Sequence, residues 1–242
     1  MKLSRSNGAA RSLRLPILLL LTVFWWPGTG SAQSLGDWAE IRIVAHPDNE
    51  TRQLTRGQLA ALYMGKLDRW PDGSEARPMD LVDEHPLRAV FSKLVHRRTV
   101  REVEKAWLRL MLRGRELPPR LADPGEVLDA VRADRRKVGY VPASADVEDF
   151  TVLQIVEDPV LKRKVEPVYT QAARRAGVRG IVVLKVMVKR NGAVGLVVPV
   201  RSLPHGLTSE AIRAVKQWFY EPASLDGKPV KATIEVAIRF RP

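Results

Sequence analysis

Val230-Lys231-Ala232-Thr233-Ile234-Glu235-Val236-Ala237-Ile238-Arg239-Phe240 sets Val230, Ala232, Ile234, Val236, Ile238 and Phe240 in alternation with Lys231, Thr233, Glu235, Ala237 and Arg239. A period of two sends successive side chains to opposite faces of a strand. The pattern therefore predicts an antiparallel sheet covered on one side and solvated on the other. Upstream, the apolar runs 181–189 and 194–201 flank Arg190-Asn191-Gly192-Ala193. Asn-Gly between apolar runs is the strongest short-range hairpin signal, because both residues tolerate positive φ. Between the hairpin and the last strand, Ala211, Ile212, Val215, Trp218 and Phe219 form a helical stripe, with Thr208 as its expected N-cap. One amphipathic helix on a three-stranded sheet buries both apolar faces, so residues 163–242 are predicted to fold as an α+β module.

Charge separates this module from the rest of the chain. Residues 151–242 hold 16 basic and 7 acidic side chains, whereas residues 33–150 hold 20 of each. The formal charge of +13 thus belongs mainly to the C-terminal part, and the change near 150 predicts a domain boundary. A DNA-binding reading would rest on charge alone, and the neutral first part opposes it. With 45% hydrophobic residues and 28% charged ones, the chain is neither disordered overall nor a membrane bundle. The absence of cysteine excludes disulfides, Cys-ligated zinc and a thiol nucleophile.

At the other end, Lys2, Arg5, Arg11 and Arg14 precede an apolar run over residues 15–26, then Pro27, Gly28 and Gly30. Gly30 and Ala32 place small residues where a signal peptidase reads, which predicts residues 1–32 as an export signal and a periplasmic mature protein. The rival reading is an uncleaved inner-membrane anchor. The run falls short of the roughly 20 apolar residues that span a bilayer.

Residues 33–150 read as a small α/β unit. Ile41-Arg42-Ile43-Val44 is a strand pattern. Thr55 and Gln58 have capping-box spacing ahead of Leu59, Leu62 and Tyr63. Leu87, Val90, Phe91, Leu94 and Val95 mark a helical stripe, and Val103, Ala106, Trp107, Leu110 and Met111 mark a second. Asp123-Pro124 opens a third helix, and Val138-Gly139-Tyr140-Val141 reads as a buried strand. No histidine, carboxylate or nucleophile spacing suggests a catalytic or metal site, and no cofactor motif is found.

Within this unit, Leu54-Thr55-Arg56, Tyr63-Met64-Gly65-Lys66, Trp70-Pro71-Asp72-Gly73, Val127-Leu128-Asp129-Ala130-Val131 and the strand at 138–141 resemble the phosphate-type substrate-binding proteins of ABC transporters. The resemblance implies one lobe of a normally two-lobed periplasmic-binding-protein fold. In that family a Ser-Gly-Thr-Arg turn opening a helix grips the oxyanion. Here His85-Pro86-Leu87-Arg88 stands at that place, so Pro86 removes one N–H, Leu87 offers no donor, and His85 and Arg88 are the remaining oxyanion candidates.

The C-terminal module is similar to the C-terminal domain of the TonB family of energy transducers. The likeness runs from Pro167-Val168-Tyr169 through Ala172-Ala173, Gly177, Gly180-Ile181-Val182-Val183-Leu184, Val188, Asn191-Gly192, Val194 and Ser202. It continues through Ala211-Ile212, Ala214-Val215, Trp218-Phe219-Tyr220-Glu221-Pro222-Ala223 and Gly227-Lys228-Pro229-Val230 to Phe240. Thr170 departs from it, since the family has proline after the tyrosine. The resemblance implies recognition by strand addition, with an extended segment of an outer-membrane receptor pairing along Thr233, Ile234, Glu235, Val236, Ala237, Ile238, Arg239 and Phe240. The basic side chains either favour an acidic partner or keep the edge soluble.

These readings predict a signal peptide over 1–32, a truncated phosphate-binding-protein-like domain over 33–150, a linker over 151–162 and a TonB-like domain over 163–242. The connection from about 145 to 161 contains one proline, Pro159, and would extend no more than about 60 Å, short of a stiff periplasm-crossing arm. The leading functional expectation is a non-enzymatic periplasmic protein of TonB-dependent transport that docks a receptor segment or another envelope protein. The alternative is a solute-binding protein for phosphate or a similar oxyanion with the C-terminal domain as docking handle. An exposed edge is also open to strand-exchanged homodimers.

Overall fold

The computed structural model describes residues 38–241, and the export-signal reading of residues 1–32 lies outside the described residues. The first part contains β1 (Ile41–Ala45), β2 (Gln53–Thr55), α1 (Arg56–Tyr63), β3 (Arg77–Pro78), β4 (Asp80–Leu81), α2 (Pro86–Phe91), a π-helical turn over Ser92–His96, α3 (Val100–Met111), β5 (Arg120–Leu121), α4 (Pro124–Ala133), β6 (Lys137–Pro142) and β7 (Thr151–Val156). The second part contains β8 (Val160–Arg163), α5 (Gln171–Arg175), β9 (Gly180–Val188), β10 (Val194–Arg201), α6 (Leu207–Val215), β11 (Phe219–Glu221), β12 (Ala223–Leu225), β13 (Lys228–Val230) and β14 (Ala232–Phe240).

The first part is a mixed five-stranded sheet in the order β2-β7-β1-β6-β3. β1 lies between β6 and β7 and pairs antiparallel with both, so Ile43, Val44 and Ala45 are buried. Helical side chains Leu59, Leu62, Tyr63, Phe91, Val95, Val127 and Val131 close on it. Tyr63, Phe91 and Tyr140 form the aromatic centre, with the Phe91 and Tyr140 rings stacked at 4.1 Å. The expected caps are present. Thr55 and Gln58 make a reciprocal capping box, and Asp123 accepts from Glu126 N at 3.0 Å ahead of Pro124.

β7 corrects the linker expectation. The segment from 151 to 156 pairs antiparallel with β1 and parallel with β2, placing it inside the first sheet. Thr151-Val152-Leu153-Gln154-Ile155-Val156 carries a strand's alternation, with Thr151, Leu153 and Val156 buried. β8 then pairs with β11 of the second part, so only residues 157–159 lie between the two pairings.

The second part is the expected helix-backed, three-stranded antiparallel sheet, in the order β10-β9-β14. Val182, Leu184, Val186 and Val188 of β9 meet Ala173 of α5 and Leu207, Ala211 and Val215 of α6 in one core with Ile238 and Phe240. The expected β9–β10 hairpin turns at Asn191-Gly192. Gly192 has a φ of 82°, while Asn191 is not among the residues with positive φ. Gly192 N donates to Lys189 O at 2.9 Å, so a tight turn leads into a left-handed glycine. At α6, Gly206 rather than Thr208 is the N-cap; Thr208 Oγ1 instead bonds both Leu203 N and Leu203 O. Thr170 caps α5, accepting from Ala173 N at 3.1 Å and donating to His205 O at 2.7 Å. Val230 belongs to β13, and Lys231 separates it from β14.

Candidate functional site

β14 pairs with β9 over all nine of its residues in one unbroken antiparallel register, from Ala232 opposite Val188 to Phe240 opposite Gly180. Among the described residues no strand pairs with its other side. One contact fixes which backbone groups face that side. Gln58 Nε2, on α1, donates to Thr233 O at 2.9 Å from outside the sheet. In an antiparallel strand the N–H and C=O of one residue point the same way, and the direction reverses at the next residue. Glu235, Ala237 and Arg239 therefore present their N–H and C=O to the free edge, and all three are exposed. Ile234, Val236, Ile238 and Phe240 turn theirs toward β9.

The opposite edge of the sheet is built differently. β10 carries two register irregularities against β9, between Val194 and Val197 and between Pro199 and Arg201. Bulges and proline blunt an edge against strand addition, because they break the even row of donors and acceptors. β14 has neither device. Its exposed side chains share the sheet face that no helix covers, where Leu196, Val198 and Val200 of β10 are 64, 43 and 56% exposed. All eight residues expected to form the edge lie on this one strand, and the geometry sorts them into alternate outward and inward sets.

The start of β14 opens into a cleft of about 530 Å³ between the sheet and the first part, walled by Gln58, Ala61, Lys66, Trp70, Lys185 and Thr233. Lys185 Nζ donates to Pro71 O at 2.6 Å across it. Gln58 serves both sides at once. Its Oε1 accepts from Thr55 N at 2.9 Å in the capping box, and its amide nitrogen reaches Thr233. The capping spacing was legible in the sequence; the second bond was not, because it spans 175 residues.

The oxyanion candidates have other occupations. His85 is the N-cap of α2, its Nδ1 accepting from Leu87 N at 3.2 Å. Arg88 is 1% exposed. Its guanidinium forms an ion pair with Asp80, donates to Glu104 at 2.7 Å and to Leu81 O at 3.1 Å, and places Nε 3.1 Å from Asp83. That last contact is an ion pair without hydrogen-bond geometry. Arg120 joins from the other side, 2.7 Å from Glu104 and 3.1 Å from Asp83. Burial opposes the Arg88 charge, and Asp80, by charge and hydrogen bond, outweighs it and holds the guanidinium above its usual range. Tyr140 donates to Asp80 at 2.7 Å; burial, then the Asp80 charge, raises its phenol far above the ordinary value. Two arginines face three carboxylates, so an added anion would meet surplus negative charge. These residues form an ionic network, buried at Arg88 and Asp80 and partly exposed at Asp83, Glu104 and Arg120, that ties α2 to α3 and β5. Among the described residues no cluster of His, Asp and Glu is placed to hold a metal ion, and no helix is long and apolar enough to cross a membrane.

The second part is thus a helix-backed sheet that ends, among the described residues, in an unpaired strand. Residues 165–242 match the family model described as Gram-negative bacterial TonB protein C-terminal. The chain is 33% identical over 89 residues to a protein named Protein TonB from Vibrio cholerae serotype O1, an alignment that spans 36% of each protein. Among solved structures, the solution structure of the Pseudomonas aeruginosa TonB C-terminal domain is 24% identical, covering 35% of this chain and 86% of that one, with a TM-score of 0.30. The crystal structure of a phosphate ABC transporter substrate-binding protein with bound phosphate from Clostridium perfringens is 16% identical, covering 48% of this chain and 44% of that one, with a TM-score of 0.38.

Proposed function

We propose that this chain is a non-enzymatic periplasmic recognition protein of TonB-dependent transport. It captures an extended segment of an outer-membrane receptor, or of another envelope protein, as a fourth strand on the β10-β9-β14 sheet. The observation that carries this reading is the edge of β14, an unbroken strand whose Glu235, Ala237 and Arg239 direct main-chain donors and acceptors outward. Main-chain pairing supplies affinity in such an arrangement, and alternate side chains supply selectivity. The match of residues 165–242 to the TonB C-terminal family model supports the assignment to transport, and the excess of basic side chains after residue 150 favours encounter with acidic partners.

Cysteines introduced by Glu235→Cys or Ala237→Cys test the reading by crosslinking in intact cells, with Leu196→Cys on β10 as the control. The expected product joins β14 to the periplasm-facing segment of an outer-membrane receptor, mapped by mass spectrometry. Equal capture of the same proteins from β10 and β14, or recovery of abundant periplasmic proteins alone, would sink it.

A further inference from the structure

Among the described residues, Gln58 occupies the one outward-facing carbonyl of β14 that is already bonded, that of Thr233. It is held there by its own fold rather than by chance packing. Its Oε1 is fixed by Thr55 N, and Thr55 Oγ1 accepts from Gln58 N at 3.2 Å in return. Either Glu or Gln completes a capping box, but only Gln carries a donor for a third partner. Around Gln58, the edge residues Thr233, Ile234 and Glu235 border the 530 Å³ cleft, together with Gly57, Ala61 and Trp70. A single side-chain amide therefore occupies the edge where it reaches the cleft.

We propose that Gln58 sets the register of strand addition: with its amide on Thr233, an incoming strand pairs with Glu235, Ala237 and Arg239 only, and loss of that bond lets the strand run on past Thr233 into the cleft. The inference rests on β14 being the docking edge, and it assigns to the first part of the chain a direct hand in specificity. A segment with a bulky or charged residue one step beyond Glu235 would meet α1, while a segment that stops there would not.

Gln58→Glu is the discriminating variant. It keeps the capping acceptor at the same position and replaces the donor by a carboxylate oxygen, which repels the Thr233 carbonyl. Gln58→Ala is the second variant; it gives up the reciprocal cap but adds no charge, and Asp158 still accepts from Gly57 N at 2.8 Å at the same helix end. The probes are two end-blocked peptides of alternating threonine and valine, five and nine residues long, titrated into the full chain. Amide hydrogen exchange along β14 and calorimetry are the readouts.

In the native chain both peptides should bind equally and protect Glu235, Ala237 and Arg239. In either variant the nine-residue peptide should extend protection to Thr233 and bind about three- to tenfold more tightly, the worth of one added main-chain bond. Protection of Thr233 in the native chain, or no gain for the longer peptide in both variants, overturns the role of Gln58 and leaves the docking edge standing. No protection anywhere on β14 with either peptide overturns the docking edge itself, and the role of Gln58 with it.

Discussion

Proline placed at two neighbouring positions of β14 separates an open edge from a paired one. Val236 lies opposite Leu184 and turns its N–H toward β9, so Val236→Pro removes a ladder bond and strands the Leu184 carbonyl. The lost bond and the unsatisfied acceptor together cost about 2–4 kcal/mol, and the ring's clash within the sheet brings the total to about 3 kcal/mol or more. Ala237 turns its N–H to the free side, where proline removes nothing that is bonded. There the cost is the shift of φ toward −65°, about 1 kcal/mol. For a body of this size, each kcal/mol moves the midpoint by about 2–4 °C, so Val236→Pro should lower Tm by roughly 6–12 °C and Ala237→Pro by no more than about 4 °C. Thermal unfolding followed by near-ultraviolet circular dichroism reads the difference. Ala237→Pro should at the same time abolish crosslinking from Glu235→Cys, because the central donor of the free edge is gone. Equal losses of Tm at the two positions would refute the assignment of outward and inward residues. Undiminished crosslinking in a folded Ala237→Pro variant would refute strand addition.

Further outcomes follow from geometry elsewhere. A Cβ on Gly192 would stand 1.9 Å from Tyr220 O at a φ of 82°, whereas one on Gly227, at a φ of 74°, meets nothing within 4 Å. Urea unfolding should therefore show Gly192→Ala losing about 3 kcal/mol and Gly227→Ala about 1 kcal/mol, and equal losses would show that the approach to Tyr220 is unimportant. Burial, partly offset by the Asp80 charge, lowers the His96 pKa to about 4, below its ordinary 6.5. The unfolded chain then binds the extra proton between those values, so the stability due to a neutral His96 is complete above pH 6.5 and is lost as pH falls toward 4, by about 3 kcal/mol. That pH dependence should flatten in His96→Asn. Arg88→Met leaves three carboxylates facing Arg120 alone and should destabilise by about 3–5 kcal/mol in urea, while millimolar phosphate should leave the native Tm unchanged.

Much of the second part was legible because its signals are local. The alternation from Ala232 to Phe240, the Asn-Gly turn and the stripe on α6 each lie within one element, and together they define a helix-backed sheet. What escaped was tertiary. The turn at Gly192 takes its shape from Tyr220 of β11, whose N donates to Gly192 O at 2.9 Å. Thr170 reads as a departure from a family pattern until His205 and Ala173 show it bonded on both sides. β7 carries a fair strand pattern, yet its place between β1 and β2 depends on partners about a hundred residues earlier. The candidate edge itself was found from pattern and resemblance, but its outward set became known through one side chain, Gln58. Arg88 is the opposite case. An arginine at the start of a helix suits an anion in sequence, and its carboxylate partners come from β4, the loop after it and α3.

The three residues between β7 and β8 leave the molecule without slack. Glu157 is clamped by Arg56 at 3.2 Å and Arg97 at 2.9 Å, and Asp158 accepts from Thr55 at 2.6 Å. A tether of that length spans about 10 Å even when drawn straight. Tension applied to a strand seated on β14 would thus reach the amino-terminal lobe almost at once, as a lever reaches its fulcrum, rather than being absorbed in an elastic joint.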